Sequence, residues 1–598
     1  MLTTFKMFQQ FTRMQLRRLL MVISKLESDI LKLVKDDPSQ KEVIISDNQK
    51  ILVEAPAGFG KTFTMINMIK YWIATGKIKN YEKVLCLSFS VSAANRMREN
   101  IESSFKDSYS SSNLVHHVQA TNFHGICRNI LSKYGFLVGL KPNVDYQNVD
   151  STNKDELKLL PLDERTFIHN EDSEISTASI SQKKLYEQLS DYNAIIRNSF
   201  LPCNKLPYNA IITLTLELLL NNTQICSFYR KYYRVICIDE FQDTNILGLS
   251  LIHILSGENT KLVAFGDDMQ QIYQFLGAIP SLIDKTSQNS SIQYVQLTKN
   301  YRFKNNKSMQ ALDSQLRFYK TNLTVTQNNK IPIDALHGTS ISDESAQIIS
   351  FINNHPDNKC AILFSGNSLT TKKLIEKLSE KITLFNALFK DDDKQVKHFH
   401  EKALETYLNM FKSHPISQSG VQKYINTVIK SITQDSVTDS LTELLKVFIH
   451  KSIIKYSSDI RSEVISTVLS SCSLRQNLVD INEKVTVSTI HGSKGLEWDY
   501  VILANFEYHE IPNYFEIRDI GLSNEDPRLI VNSDNSEYIR NLLNKFYVAF
   551  SRARKNFIVS YSDLHWEYSY GKPVCCKAHV SPIGYLPFIQ IRNIASKN

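Results

Sequence analysis

The stretch Ile51–Thr62, read ILVEAPAGFGKT, limits what this chain can fold into more than any other. Ile51, Leu52 and Val53 form a short apolar run that suits a strand buried on both faces. Ala57, Gly58, Phe59 and Gly60 make a tight turn. Lys61 and Thr62 then open a helix whose apolar residues Met65, Ile66, Met68, Ile69 and Ile73 recur at helical spacing up to Gly76. Strand, glycine turn and a helix beginning with Lys-Thr form a cradle for phosphate, because glycines let backbone N–H groups approach and the helix N-terminus adds its dipole. In such a loop Ala55, Pro56, Ala57, Gly58, Phe59 and Gly60 wrap the phosphates, Lys61 reaches the β/γ-phosphates and Thr62 Oγ ligates Mg²⁺. Ala55 stands where the strict pattern has Gly, and taken alone the stretch also admits a glycine turn before a core helix.

At 598 residues the chain exceeds what one core can organise, and length alone suggests about four domains. A net charge of +8 is compatible with nucleic acid but is too small on this length to establish it. The nine cysteines form no CxxC pair or Cys/His cluster in sequence, and adjacent Cys575 and Cys576 make no zinc site by themselves; reduced thiols and an intracellular, cytoplasmic protein are expected. No apolar run reaches the eighteen or so residues that span a bilayer, so no membrane partner is expected. Residues 1–37 read as an N-terminal extension, a basic leading helix docked on the first domain, with a transit peptide as the alternative.

Lys83–Ser90 (KVLCLSFS) reads as a second buried strand, and a further strand, Val235–Ile238 of RVICIDEFQDTN, delivers Asp239 and Glu240 at its C-terminal end, where an α/β sheet presents reactive groups. Asp239 can hold Mg²⁺ through its water shell, and Glu240 can orient and deprotonate an attacking water. Further along come KLVAFGDDMQQIYQFLGA (Lys261–Ala278), LTKNYRF (Leu297–Phe303), VSTIHGSKGLEWDYVIL (Val487–Leu503) and KFYVAFSRAR (Lys545–Arg554).

With the phosphate loop and DEFQDT, these blocks resemble, in order, the motifs of the UvrD/Rep family of superfamily 1 DNA helicases. The resemblance implies an α/β fold of two RecA-like P-loop NTPase domains with parallel sheets, each carrying a helical insertion subdomain. It also implies ATP with Mg²⁺ held in a cleft between those domains, and movement on single-stranded DNA with 3′→5′ polarity, acting on tailed duplexes. Lys61, Glu240, Gln270, Arg302 and Arg552 match the family's catalytic positions, Gln270 as γ-phosphate sensor and the two arginines as fingers on the phosphoryl group. Tyr301 matches the residue stacked on adenine, Gln40 the residue bonded to its edge, and Glu497 the residue on the ribose. Phe89, Asn122, His124, Tyr273, Phe275 and His491 match positions on the DNA track, with Lys494 linking track and nucleotide. Read without the family, His124 is more often a structural histidine, Tyr301 and the other rings also admit core aromatics, and Glu497 a surface acid.

Departures fall on coupling. Leu276 replaces the usual Arg of RGA, Asn122 the usual Thr before Phe-His, and Asn544 a common basic residue. The expected organisation is 38–127 and 206–285 as the first RecA-like domain around a helical insertion at 128–205. Residues 286–385 and 479–598 form the second, around a helical insertion at 386–478 with a Ser440–Glu443 capping box. The alternative is a regulatory ATPase subunit controlling a partner nuclease, as in phage defence, with little unwinding of its own.

Overall fold

The computed structural model describes residues 25–594 apart from 26, 80, 107–115, 143, 145, 150, 152–156, 159, 325–329, 391–392, 412–413, 471 and 523–527; most of the expected N-terminal extension lies outside the described residues. The chain divides into two compact units, Met1–Tyr301 and Arg302–Asn598.

The strands of the first unit are β1 (Lys50–Glu54), β2 (Lys83–Ser88), β3 (Val118–Asn122), β4 (Gln147–Val149), β5 (Lys205–Pro207), β6 (Tyr233–Ile238), β7 (Lys261–Gly266) and β8 (Gln293–Gln296). Six of them form a parallel sheet in the order β3-β2-β6-β7-β1-β8, and β4 pairs with β5 apart from it. Alternation along a strand explains why the sequence runs are continuously apolar. Ile51 and Val53 of β1, Val84 and Cys86 of β2, and Val235 and Cys237 of β6 point into one core with Met65, Ile69 and Trp72 of the helix Lys61–Ala74. Leu52, Leu85, Leu87, Ile236 and Ile238 point to the opposite face, where Ile126, Leu247 and Leu251 cover them. Helices on both faces of a parallel sheet make this a doubly wound α/β unit. The stretch between β3 and β6 is largely helical, with helices Leu162–Ser176, Gln182–Ile195 and Tyr208–Asn221.

The second unit holds β9 (Ile331–Gly338), β10 (Cys360–Phe364), β11 (Phe385–Ala387), β12 (Val485–Thr489), β13 (Trp498–Leu503), β14 (Ala553–Ser562), β15 (Leu564–Ser569), β16 (Lys572–Lys577) and β17 (Ile589–Asn593). Seven strands form a second parallel sheet, β11-β12-β10-β13-β14-β9-β17, and β15 and β16 make a separate antiparallel hairpin. Between β11 and β12 lie the helices Lys394–Met410, Val421–Lys430, Ser436–Lys455 and Ser458–Ser470.

Two local readings change. The unit break falls after Tyr301 rather than at 285/286, because β8 pairs with β1 from Ile51 to Glu54 and so ties residues 286–301 to the first sheet. The helix expected to start at Ser440 starts at Ser436: Asp435 is its N-cap, accepting from Val437 N and Thr438 N while Thr438 Oγ1 accepts from Asp435 N. Ser440 lies inside that helix, its hydroxyl donating to the Ser436 carbonyl. Among the described residues no helix is long and apolar enough to cross a membrane.

Candidate nucleotide site and DNA-facing residues

The phosphate loop leaves the C-terminal end of β1. Ala55 N donates to Gly266 O at 2.8 Å, anchoring the loop to β7. Gly58 and Gly60 have φ of +85° and +83°, which only glycine adopts without strain, whereas Ala55 lies outside the left-handed region and keeps its Cβ at no cost. That is why the missing glycine of the strict pattern leaves the loop intact.

Lys61 opens the helix and turns its ammonium onto the end of β6, 3.0 Å from Asp239 Oδ1 and 2.5 Å from Glu240 Oε1. Burial opposes a charged lysine, but the two carboxylates outweigh it and hold its pKa above the ordinary value. One cation is thus shared by two acids. Burial, reinforced by the charge of Glu240, keeps the Asp239 carboxyl above its usual range despite Lys61. Glu240 adopts a left-handed backbone at φ +54°, unusual for a residue with a side chain.

Glu240 is held from a second side by a residue the sequence reading passed over. Gln242 Nε2 donates to Glu240 Oε2 at 2.6 Å, and Gln242 Oε1 accepts from Asp267 N at 3.0 Å. Fully buried Asp267 in turn accepts from Ala57 N in the phosphate loop (3.2 Å) and from Gln270 Nε2 (2.8 Å). One hydrogen-bonded chain therefore joins Glu240, Gln242, Asp267, Gln270 and the phosphate loop. Gln242 lies within DEFQDT and Asp267 is the first acid of GDDMQQ, so both were visible as motif letters, but neither has a local pattern that announces its partner.

Gln40 and Tyr301 come together beside the loop. A Cβ built on Gly60 would meet Gln40 Nε2 at 2.5 Å and a Tyr301 ring carbon at 3.7 Å, so this glycine is needed for close approach as well as for its φ. Gln40 is buried, and Tyr301 N donates to Gly58 O. The Tyr301 hydroxyl donates to Asp37 Oδ2 at 2.8 Å, and Asp37 Oδ1 accepts from Ser39 Oγ and Gln40 N as the N-cap of the helix Pro38–Ile45. Burial pushes Asp37 upward, but these hydrogen bonds outweigh it and keep the carboxyl below its ordinary value. Asp37 was not singled out in the sequence, although Asp-Pro before a helix is a start signal.

Of the expected DNA contacts in this unit, three share one surface. Phe89, just past β2, stacks on Tyr273 with centroids 5.7 Å apart and planes at 24°; Phe275 meets Tyr273 edge-on at 6.1 Å and is 62% exposed. Leu276 is exposed beside Phe275. Asn122 has another job: its Oδ1 accepts from Gly125 N, capping the helix Phe123–Tyr134. The His124 ring packs edge-on against Tyr208 at 4.9 Å, and burial pushes its pKa down to about 4, so it is neutral at physiological pH.

In the second unit, Arg302 donates to Glu497 Oε1 and to Ser551 O, and Arg554 Nε donates to Glu497 Oε2 at 3.2 Å. Buried Arg552 donates through Nε to Val548 O and through a terminal nitrogen to Ser551 Oγ. Burial opposes the Glu497 charge, but Arg302 and Arg552 outweigh it and hold its pKa low. Glu497, expected as a ribose ligand, is here the anion that gathers the arginines. His491 sits half-buried in the turn after β12.

Comparison with known sequences agrees with this geometry. The model of the UvrD/REP helicase N-terminal domain matches residues 36–291, and that of the UvrD-like helicase C-terminal domain matches residues 259–563. The ATP-dependent DNA helicase PcrA of Staphylococcus aureus is 26% identical over 279 residues, covering 44% of this chain and 37% of the relative. PcrA of Bacillus subtilis is 26% identical over 284 residues, with the same coverage. The aligned region thus spans little more than a third of the length of these relatives. With both domain models matched in succession and their motif residues gathered at the ends of two parallel sheets, the chain belongs to the UvrD/Rep-like helicase family.

Proposed function

We propose that this protein is an ATP-dependent DNA motor that moves 3′→5′ on single-stranded DNA and separates tailed duplexes. The observation that carries this reading is the hydrogen-bonded chain from the phosphate loop through Asp267 to Glu240 and Gln270, which ends three residues before the Tyr273 ring. A change at the γ-phosphate end can therefore reach the stacked aromatics through one short segment. Glu240, fixed by Lys61 and Gln242, takes the proton of the attacking water. Arg302 and Arg552 are assigned to the charge that develops on the phosphoryl group. Thr62, on the first turn of its helix, and Asp239 are oxygen donors of the kind a hard cation takes, so they fit Mg²⁺ bound with ATP, which would neutralise phosphate charge.

The test is strand displacement on 3′- and 5′-tailed duplexes with Mg²⁺ and ATP, run beside ATPase with and without single strands. The reading expects unwinding from the 3′ tail and hydrolysis that rises with DNA. Stimulated hydrolysis without strand separation would favour the regulatory ATPase acting with a nuclease, a reading supported by exposed Leu276 where the family's RGA motif has Arg. Hydrolysis indifferent to DNA would defeat both.

A further inference from the structure

The β15–β16 hairpin of the second unit carries a cluster that the ATPase reading does not use. His565 and Glu567 lie two apart on β15 and so share a face, and Cys576 of β16 is paired directly opposite His565, which places it on that same face. The donor atoms of all three lie within 4.8 Å of one another. Glu567 Oε2 is 3.7 Å from His565 Nε2, and Glu567 Oε1 is 3.6 Å from Cys576 Sγ. Ligands about 2.0–2.3 Å from a tetrahedral zinc stand about 3.3–3.8 Å from each other, so His565 and Cys576 each lie at such a distance from one Glu567 oxygen, and the His565–Cys576 pair, within 4.8 Å, closes by at most about 1 Å around a shared ion.

A second, independent observation concerns the imidazole. His565 is only 4% exposed, yet neither ring nitrogen has a hydrogen-bond partner among the described residues. A buried ring with two unmet nitrogens costs free energy unless something else fills the role. Among the described residues, Glu567 lies within ion-pair range of it, beyond hydrogen-bonding distance. The ring of His509 lies against it, 5.3 Å between centroids and 24° between planes, and walls the cluster from the side of the loop after β13. Glu567 and Cys576 are partly open to solvent, which leaves a path for an ion to enter.

We propose that His565, Glu567 and Cys576 bind one divalent transition-metal ion of the zinc class, with water completing the shell. Mixed nitrogen, thiolate and carboxylate donors select such an ion over Mg²⁺ or Ca²⁺, which take oxygen ligands. Binding converts the Cys576 thiol to thiolate and releases its proton to solvent. The site has a structural use. An isolated two-stranded hairpin is marginal in water, and every residue of β16 except Cys576 is exposed. A bond from β16 to both His565 and Glu567 fastens the exposed strand to its partner. The sequence hid this because only one of the two adjacent cysteines is a donor and the other two donors come from across the hairpin; Cys575 pairs with Trp566 and faces the other way.

Cobalt(II) is the probe. The full-length chain, freed of metal by chelator and kept reduced, is titrated with Co²⁺ while absorption is followed. The expected result is a thiolate-to-cobalt charge-transfer band that saturates at one ion per chain and is bleached by Zn²⁺. Cys576→Ser loses that band, Cys575→Ser keeps it, and Glu567→Gln, at an exposed position that folding tolerates, weakens binding at least about tenfold, the smallest effect expected even of a supporting residue at a metal site. Absence of the band in the parent, its survival in Cys576→Ser, or unchanged affinity in Glu567→Gln would each overturn the assignment.

Discussion

Replacing Lys61 by Ala tests the electrostatics of the first unit as well as its chemistry. The Lys61, Asp239 and Glu240 side chains are 14%, 12% and 19% exposed, so the three charges sit largely out of water. Removing the cation leaves two neighbouring carboxylates without their counter-ion. Breaking a buried pair in this way costs about 3–5 kcal/mol, against roughly 0.5 kcal/mol or less for an exposed lysine. The loss should therefore appear in stability before any nucleotide is added. Trp498→Phe with Trp566→Phe leaves Trp72, buried in the core of the first unit, as the only tryptophan, so its fluorescence in a urea titration reports that unit alone.

Two further arms make the prediction specific. Adding Glu240→Gln removes one of the two stranded anions, so the double variant should recover part of the deficit, with a coupling of about 1–3 kcal/mol in the cycle. The pH dependence has a definite sign. A carboxyl whose folded-state pKa is raised costs stability above that pKa and costs nothing below its unfolded value. Asp239 is already raised by burial, and loss of Lys61 raises it further. The deficit of Lys61→Ala should be largest at neutral pH and shrink as pH falls toward about 4, the ordinary range for Asp. If the variant unfolds within about 0.5 kcal/mol of its parent at neutral pH, or if its deficit grows on acidification, the charges are not paired in a buried site and the reasoning fails.

Glu240→Gln should retain Mg²⁺–ATP binding but lower turnover by about 10²-fold or more, since an amide cannot take the water's proton; nucleotide binding measured beside steady-state hydrolysis checks both halves. Tyr273→Ala with Phe275→Ala should remove about 2–6 kcal/mol of stacking if each ring holds one base, so DNA stimulation of ATPase should collapse; equal stimulation across an oligonucleotide titration would assign both rings to packing. Tyr301→Phe keeps the ring and loses only the hydroxyl bond to Asp37, for about 0.5–1.5 kcal/mol of stability and no change in the KM for ATP, whereas Tyr301→Leu should raise that KM.

What the sequence disclosed and what it withheld divide along a physical line. Strands β1, β2 and β6 were legible because alternate residues feed two cores, so the whole run must be apolar whatever the rest of the chain does. The phosphate loop was legible because a turn with two left-handed glycines is a local property. β8 was not, since QYVQ offers one buried apolar residue and is a strand only because β1 lies beside it. The partners of charges were withheld for the same reason. Lys61 meets Glu240 across 179 positions and Arg302 meets Glu497 across 195, and no spacing rule reaches so far. Asn122 shows the converse case: its place in a motif suggested a ligand contact, while its local chemistry, a short amide just before a helix, already specified the cap it makes.

Motif letters therefore mark where the fold gathers polar groups, but the hydrogen bonds decide which letters act on substrate and which hold the others. Within DEFQDT, Glu240 has one carboxylate oxygen on Lys61 and the other on Gln242, in a backbone conformation that a side chain rarely adopts. A residue so constrained from three directions is fixed in orientation before a phosphate arrives, which is what a base must be if it is to meet a single water molecule in line. In the proposed mechanism Gln242 and Asp267 serve hydrolysis only by supplying that constraint; what their hydrogen bonds hold in place is Glu240 and Gln270.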